Sequence, residues 1–250
     1  MSTTPEVRRL ATPQDLFQAA ADEVIDTATT AVSERGQFTI ALSGGSTPKS
    51  LYTLIAANAA STLPWERMFF FWSDERHVPP GDAGSNYRMA NESLLSKVPV
   101  PPANIFRIPG ENPDASQAAE IYEQTIRKHF ASDPGQIPVY DLILLGLGPD
   151  GHTASLFPET AALQEKSRLV VANWVEKFKT TRITFTLPLL NAASRVAFLV
   201  SGTEKAAALR EVLEGTAPEE KYPAKLVRPR PGKAIWFVDR AAASELSAGS

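Results

Sequence analysis

The stretch Val139-Tyr140-Asp141-Leu142-Ile143-Leu144-Leu145-Gly146-Leu147-Gly148-Pro149-Asp150-Gly151-His152-Thr153-Ala154-Ser155-Leu156-Phe157-Pro158 decides how the rest of the chain is read. The apolar run from Leu142 to Leu145, stopped by glycine, is the pattern of a strand buried on both faces, as in a parallel sheet. In open parallel α/β sheets ligands bind just beyond the carboxyl ends of the strands. Gly146, Gly148, Asp150, Gly151 and His152 fall at that place. His152 is one of three histidines in 250 residues, and an imidazole suits proton transfer near neutral pH. It is the expected activator of a water molecule.

Working outward, Gln37 to Leu42 reads as a strand running into Ser43-Gly44-Gly45-Ser46-Thr47-Pro48. Thr47-Pro48 has the form of an N-cap followed by proline, so a helix is expected to start there. A glycine pair, hydroxyls and a helix N-terminus make an anion cradle, or simply a tight turn with an ordinary cap. Both readings stand at this point. The G-x-x-x-x-G-K-[ST] spacing is absent, so triphosphate chemistry is not supported. Met68 to Trp72 is a further buried strand, ending in Ser73-Asp74-Glu75-Arg76-His77. Asp74 and Arg76 read as a site wall, Glu75 and His77 as charges at a wet strand end.

Thr12-Pro13 opens a packing helix that runs to Gly36, and Ser85 is positioned to cap another after a long polar loop. Ala115 to Ala131 is a fourth helix, with His129 read as a cation at its C-terminus. Asn104 to Ile108, Leu169 to Val175, Ile183 to Leu187, Arg195 to Val200 and Lys233 to Asp239 read as strands. Lys205, in the first turn of the helix opened by Thr203-Glu204-Lys205, opposes the usual preference for acidic residues there. It is either a surface lysine or a cation held against an anion. The tail from Ala241, ending Ala248-Gly249-Ser250, is expected to fray. Strands alternate with helices and no linker or repeat divides residues 1 to 250. The expectation is α/β, a single domain with one mainly parallel twisted sheet and helices on both faces, Rossmann-like.

Composition narrows the function. A net charge of −3 gives no reason to expect nucleic acid or an anionic membrane as partner, and no obligate protein partner is evident. The absence of cysteine removes thiolate chemistry and cysteine-ligated metals, and three scattered histidines argue against a multi-histidine metal site. Met1 to Gly36 lacks a signal-like apolar core and carries several acidic residues. No stretch reaches the ~20 apolar residues of a spanning helix. A cytoplasmic location is expected.

Several blocks in order carry a resemblance: Ala41 to Pro48, Trp72 to Arg76 with Ser85-Asn86-Tyr87, Gly146 to Pro158, Arg182-Ile183-Thr184, and Gly202 to Lys205. Together they resemble the 6-phosphogluconolactonase family. The resemblance implies hydrolysis of 6-phospho-D-glucono-1,5-lactone in the oxidative pentose phosphate pathway, with a sugar-phosphate lactone as small-molecule partner and neither metal nor organic cofactor. It further implies that His152 is the base, that Asp150 or Asp74 orients the imidazole or the sugar hydroxyls, and that backbone amides of the glycine turns or Arg76 hold the oxyanion. The phosphate would then sit on Ser43, Gly44, Gly45, Ser46 and Thr47, with Arg182 and Lys205 as countercharges.

Three other readings compete. Glucosamine-6-phosphate deaminases have a turn resembling Gly-His-x-Ala-Phe-Asn-Glu-Pro, whose glutamate supports the histidine during ring opening. Phe157 occupies that place here, and an aromatic ring cannot replace a carboxylate. Gly146, Gly148 and Gly151 match the G-x-G-x-x-G dinucleotide spacing, with Glu165 at about the right distance. Pro158 would break the long helix that fingerprint needs. A non-catalytic sugar-phosphate sensor would need the cradle but not His152 and Asp74 together, and no DNA-binding segment is visible.

Overall fold

A computed structural model describes residues 5–59 and 62–247; of the tail expected to fray, 248–250 lie outside them, whereas Ala242–Glu245 form a 3-10 turn anchored by Ala242 N donating to Asp239 Oδ1 at 2.7 Å and by the buried Ala242 and Leu246. In chain order the elements are β1 (Glu6–Leu10), α1 (Pro13–Arg35), β2 (Phe38–Leu42), α2 (Ser46–Asn58), β3 (Met68–Trp72), β4 (Asp74–Arg76), α3 (Asn86–Ser93) and α4 (Ala115–Phe130). They continue with β5 (Leu142–Gly146), β6 (Val170–Val175), β7 (Thr180–Phe185), α5 (Leu187–Ala192), β8 (Arg195–Val200), α6 (Ala206–Glu214) and β9 (Lys233–Asp239).

Six strands form a parallel sheet in the order β1-β9-β8-β5-β2-β3. Its central strands are buried on both faces, as their unbroken apolar runs require: Leu142 to Leu145, Val196 to Val200 and Ile235 to Val238 are all nearly inaccessible. Removing such side chains from water stabilises the fold by roughly 1.5–3 kcal/mol each before the entropy of ordering them is subtracted. At the amino ends, buried Asp141 accepts from Thr39 N at 2.8 Å, Thr39 Oγ1 at 2.9 Å and Arg35 Nη2 at 2.6 Å. This ties β5 to β2 and to the last turn of α1. The opposite end of the sheet is left to the loops.

The expected single sheet is corrected in one respect. β4, β7 and β6 form a second, antiparallel sheet of three strands, so Leu169 to Val175 and Ile183 to Leu187 do not extend the parallel one. The chain passes between the sheets at Ser73, whose N–H donates to Leu42 O at 2.9 Å and whose carbonyl accepts from Phe185 N at 2.8 Å. What reads as a charged strand end, Asp74-Glu75-Arg76, is therefore a strand in its own right, carried across the mouth of the main sheet. Glu75 is structural. Buried beneath α3, it accepts from Asn86 N at 2.7 Å, Tyr87 N at 2.8 Å and Ser85 Oγ at 3.0 Å, satisfying donors that a helix start leaves open.

Other departures are local. β1 carries no strand signal in the sequence because Glu6-Val7-Arg8-Arg9-Leu10 is mostly charged, yet charge is how a sheet edge avoids further pairing. Asn104 to Ile108 contributes only an isolated bridge between Phe70 and Ile105. α2 begins at Ser46 with Gly45 as its cap, at φ 109°, so Thr47-Pro48 lies inside the first turn, where proline's missing N–H has no helical partner to lose. His129 is not a surface cation. Its ring lies among Phe69, Phe71, Phe106 and Phe130 at centroid distances of 4.7–5.2 Å, and burial pushes its pKa down.

Candidate active site

The carboxyl ends of β2, β5 and β8, together with β4, surround a cavity of about 220 Å³. Ser43, Gly44, Gly45, Asp74, Arg76, His152 and Lys205 line it. Ser46, Thr47, Asp150 and Arg182 are not among the residues that line it, and Asp150 lines a neighbouring cavity. Asn86, Thr153 and Ala154 join the wall without a sequence signal that singles them out, although Asn86 lies inside a block that carries the resemblance.

Beyond β5 the chain makes a closed turn. Gly148 N donates to His152 O at 2.9 Å, and Gly151 N donates to Gly148 O at 2.9 Å. This folds Asp150 back against the imidazole, and His152 Nδ1–H donates to Asp150 Oδ1. Glycine is required at 148, because a Cβ there would stand 2.0 Å from His152 Nδ1 and 2.7 Å from Asp150 Oδ1. Burial alone would raise the Asp150 carboxyl, but hydrogen bonds from His152 and Lys177 outweigh it and hold the pKa well below the usual range. An ionised Asp150 can only accept, so it fixes the hydrogen on Nδ1 and leaves the Nε2 lone pair free.

The ring of Phe157 stacks on His152 at 4.1 Å between centroids and 21° between planes. An apolar face thus covers the imidazole where the deaminase pattern has a carboxylate nearby. The chain after Gly151 forms a short bridge between Thr153 and Leu156 and a 3-10 turn at Ala161–Gln164. No α-helix follows Gly151 before β6, so the dinucleotide fingerprint lacks its helix.

Asp74 is buried and committed elsewhere. Its Oδ2 accepts from Ser155 Oγ at 2.6 Å and its Oδ1 from Asn86 Nδ2 at 3.4 Å. Among the described residues it shares no hydrogen bond with His152, so Asp150 is the carboxylate that orients the ring. Asn86 also explains Gly44, where a Cβ would fall 1.9 Å from Asn86 Oδ1. The Gly44 and Gly45 amides meet no acceptor among the described residues, and the first turn of α2 has no side-chain cap.

Opposite this donor-rich turn are cations without carboxylates. β4 and β7 pair in a register that sets Arg76 directly across from Arg182. Both Nε atoms are buried without a partner, although Arg76 Nη1 reaches Gly84 O at 2.5 Å. Burial, then the Arg76 charge, lower the Arg182 pKa. Lys205, on the facing wall, forms no ion pair among the described residues. Ser43 Oγ is likewise buried and unpartnered. A set of unpaired cations and free donors around one cavity is built to receive an anion.

Known proteins resemble this chain over most of its length. The family described as glucosamine-6-phosphate isomerases/6-phosphogluconolactonase matches residues 11–236. A protein of Synechocystis sp. named 6-phosphogluconolactonase is 45% identical over 242 residues, covering 97% of this chain and 98% of its own. One of the same name from Nostoc sp. is 44% identical over 232 residues, covering 93% and 94%. The solved structure titled 6-phosphogluconolactonase from Trypanosoma cruzi superposes with a TM-score of 0.88 at 32% identity, over 99% of this chain and 98% of that one. The chain belongs to the glucosamine-6-phosphate isomerase/6-phosphogluconolactonase family.

Proposed function

We propose that this chain is an enzyme that hydrolyses 6-phospho-D-glucono-1,5-lactone to 6-phospho-D-gluconate, the lactonase step of the oxidative pentose phosphate pathway. Relatives at 44% and 45% identity bear the name of that activity. The observation that carries the reading is the Asp150-oriented imidazole of His152 on the wall of a cavity that also presents unpaired cations.

In this mechanism His152 Nε2 takes a proton from water as the water oxygen attacks C1. The carbonyl electron pair moves onto oxygen, forming a tetrahedral intermediate. As the intermediate collapses the bond from C1 to the ring oxygen breaks, and the ring oxygen takes the proton back from the imidazolium. The products are the open-chain acid and a C5 hydroxyl, and the base is regenerated. A base so placed accelerates such a reaction by about 10²- to 10⁴-fold. Asp150 holds the tautomer and offsets the imidazolium charge, without itself accepting the proton.

The phosphate is assigned to Ser43 and the amides of Gly44 and Gly45, with the first turn of α2 at Ser46 and Thr47 behind them. Arg182 and Lys205 are its countercharges. With the Gly148 and Gly151 amides committed inside their turn, Arg76 is the charged donor on the cavity wall left for the oxyanion. Asp74 and Asn86, which line the cavity, are assigned to the sugar hydroxyls. Phosphate binding, remote from C1, is available to position the lactone.

The test is turnover of freshly generated lactone above its spontaneous rate, with wild type and His152→Asn in parallel, and ammonia release from glucosamine 6-phosphate as control. Loss of lactone turnover in the variant is the expected result. Ammonia release without lactone turnover would transfer the assignment to the deaminase branch of the family, and full activity of the variant would remove His152 from the mechanism.

A further inference from the structure

Asp150 has two carboxylate oxygens and two different partners. Oδ1 accepts from His152 Nδ1, and Oδ2 accepts from Lys177 Nζ at 2.9 Å. Lys177 belongs to neither the turn nor the parallel sheet. It lies on the 3-10 turn Glu176–Phe178 at the tip of the β6–β7 hairpin, where Lys179 reverses the chain at φ 50°. We propose that Lys177 is a positioning residue for His152, acting through Asp150.

Three features of the hairpin tip support this. First, the neighbouring carboxylate is already occupied: Glu176 pairs with Lys179 and accepts from Trp174 Nε1 at 2.8 Å. Lys177 is thereby left to Asp150 rather than to its own strand. Second, the tip is fastened on its other side by Phe178, whose ring meets Phe157 at 5.7 Å and lies 5.7 Å from the Arg182 guanidinium. Phe157 in turn stacks on His152. The hairpin therefore braces the imidazole twice, through the carboxylate at its Nδ1 edge and through the aromatic ring on its face.

Third, the energetics separate position from stability. The Lys177 side chain is 53% exposed, and exposed ion pairs contribute little to folding. Its effect is local. A carboxylate bonded at one oxygen can swing about its last torsion, which is broad and soft; a cation at Oδ2 fixes the plane that aims Oδ1 at the ring. Burial raises the Asp150 pKa, and the hydrogen bonds from His152 and then from Lys177 bring it down; a carboxylate turned away from the ring would loosen the preference for the hydrogen on Nδ1.

The experiment compares Lys177→Met and Lys177→Arg with wild type. The kinetic arm rests on the lactonase reading: kcat is expected to fall about fivefold to tenfold in Lys177→Met, with KM within about twofold and most of the loss recovered by arginine. In an Asp150→Asn background the methionine substitution is expected to change nothing further, because the route runs through that carboxylate. The second arm needs no turnover. In protein labelled with 15N at its three histidines, the His152 ring of wild type shows the Nδ1–H tautomer, and Lys177→Met shows a mixture of tautomers at unchanged Tm. An unaltered ring spectrum with unaltered kcat overturns the proposal. A rise in KM alone overturns it as well, by making Lys177 a substrate contact. Absence of lactone turnover in wild type refutes the lactonase reading, and the ring spectrum then decides the proposal by itself.

Discussion

Arg182→Met separates binding from stability in opposite directions. The Arg182 guanidinium is half-buried, its Nε has no partner among the described residues, and it stands across the strand pair from Arg76. Burial and the Arg76 charge both act against its protonated form. An unsatisfied buried polar group costs about 1–3 kcal/mol. Solvent screening of a half-exposed head group argues for the lower end, about 1 kcal/mol. Methionine keeps much of the stem volume, and the cation–π attraction to Phe178 that it forgoes is worth about 0.5 kcal/mol at such a site. The net expectation is a gain of about 0.5 kcal/mol, raising Tm by roughly 1–2 °C in a chain of this length.

Ligand binding moves the other way. A charge-assisted hydrogen bond to an anion contributes about 1.5–3 kcal/mol, and because Arg182 is not itself among the residues that line the cavity, the lower figure applies. KM for the lactone is then expected to rise about tenfold, while kcat changes by less than about threefold, since the phosphate is remote from C1. Thermal unfolding in inorganic phosphate supplies an independent readout. Phosphate raises the Tm of wild type through linkage, and the increment shrinks in Arg182→Met. A lower Tm together with unchanged KM would refute this reasoning and make Arg182 an ordinary packing residue.

Gly148→Ala is expected to lower kcat at least about 100-fold, because the new Cβ would stand 2.0 Å from His152 Nδ1 and displacement of a catalytic group by an ångström costs about that much; a folded variant with wild-type kcat would contradict the turn geometry. Phe157→Ala removes a ring that is 5% exposed; as it borders a neighbouring cavity the loss is about 2–3 kcal/mol, seen as a Tm lower by roughly 4–12 °C, and a Tm unchanged within a degree would deny its packing role. For His129, burial lowers the folded-state pKa below the ordinary imidazole value, so on the acid side of about 6.5 the unfolded chain binds more protons. Its contribution to stability is full above about 6.5 and is lost as pH falls toward the folded-state value. Urea unfolding should show wild type losing stability more steeply than His129→Phe on that acid side, and parallel curves would sink the idea.

How much of the molecule is legible in the sequence follows from where each signal is stored. Strands buried on both faces write themselves as unbroken apolar runs, and Lys233 to Asp239 can be read to the residue. The Asp150–His152 pair is also local, since two residues around Gly151 can be seen to face each other across a tight turn. The second sheet is legible only as strands. Periodicity gives an element's type but not its partner, and nothing in Val170 to Val175 says that it pairs antiparallel with Thr180 to Phe185. β4 is invisible for a different reason: three successive charged residues have poor strand propensity, and the backbone bonds from β7 override it. The pairing of Arg76 with Arg182, and of Lys177 with Asp150, are consequences of that unseen sheet.

This placement bears on which branch of the family the chemistry favours. On the proposed reading the parallel sheet supplies the base and the phosphate turn, at the strand ends where sites in this class of fold lie. The antiparallel sheet supplies what makes the site particular: Asp74 and Arg76 on one strand, Arg182 on the next, and the hairpin tip that reaches Asp150. Ring opening of an amino sugar, on the family pattern, calls for a carboxylate supporting the histidine from the position before proline. Here that position is Phe157, and its ring lies flat on the imidazole, shielding one face from water and leaving Asp150 as the carboxylate in contact with the ring. Lactone hydrolysis needs a single proton to leave water and return to the ring oxygen, and one imidazole held by one carboxylate is sufficient for that.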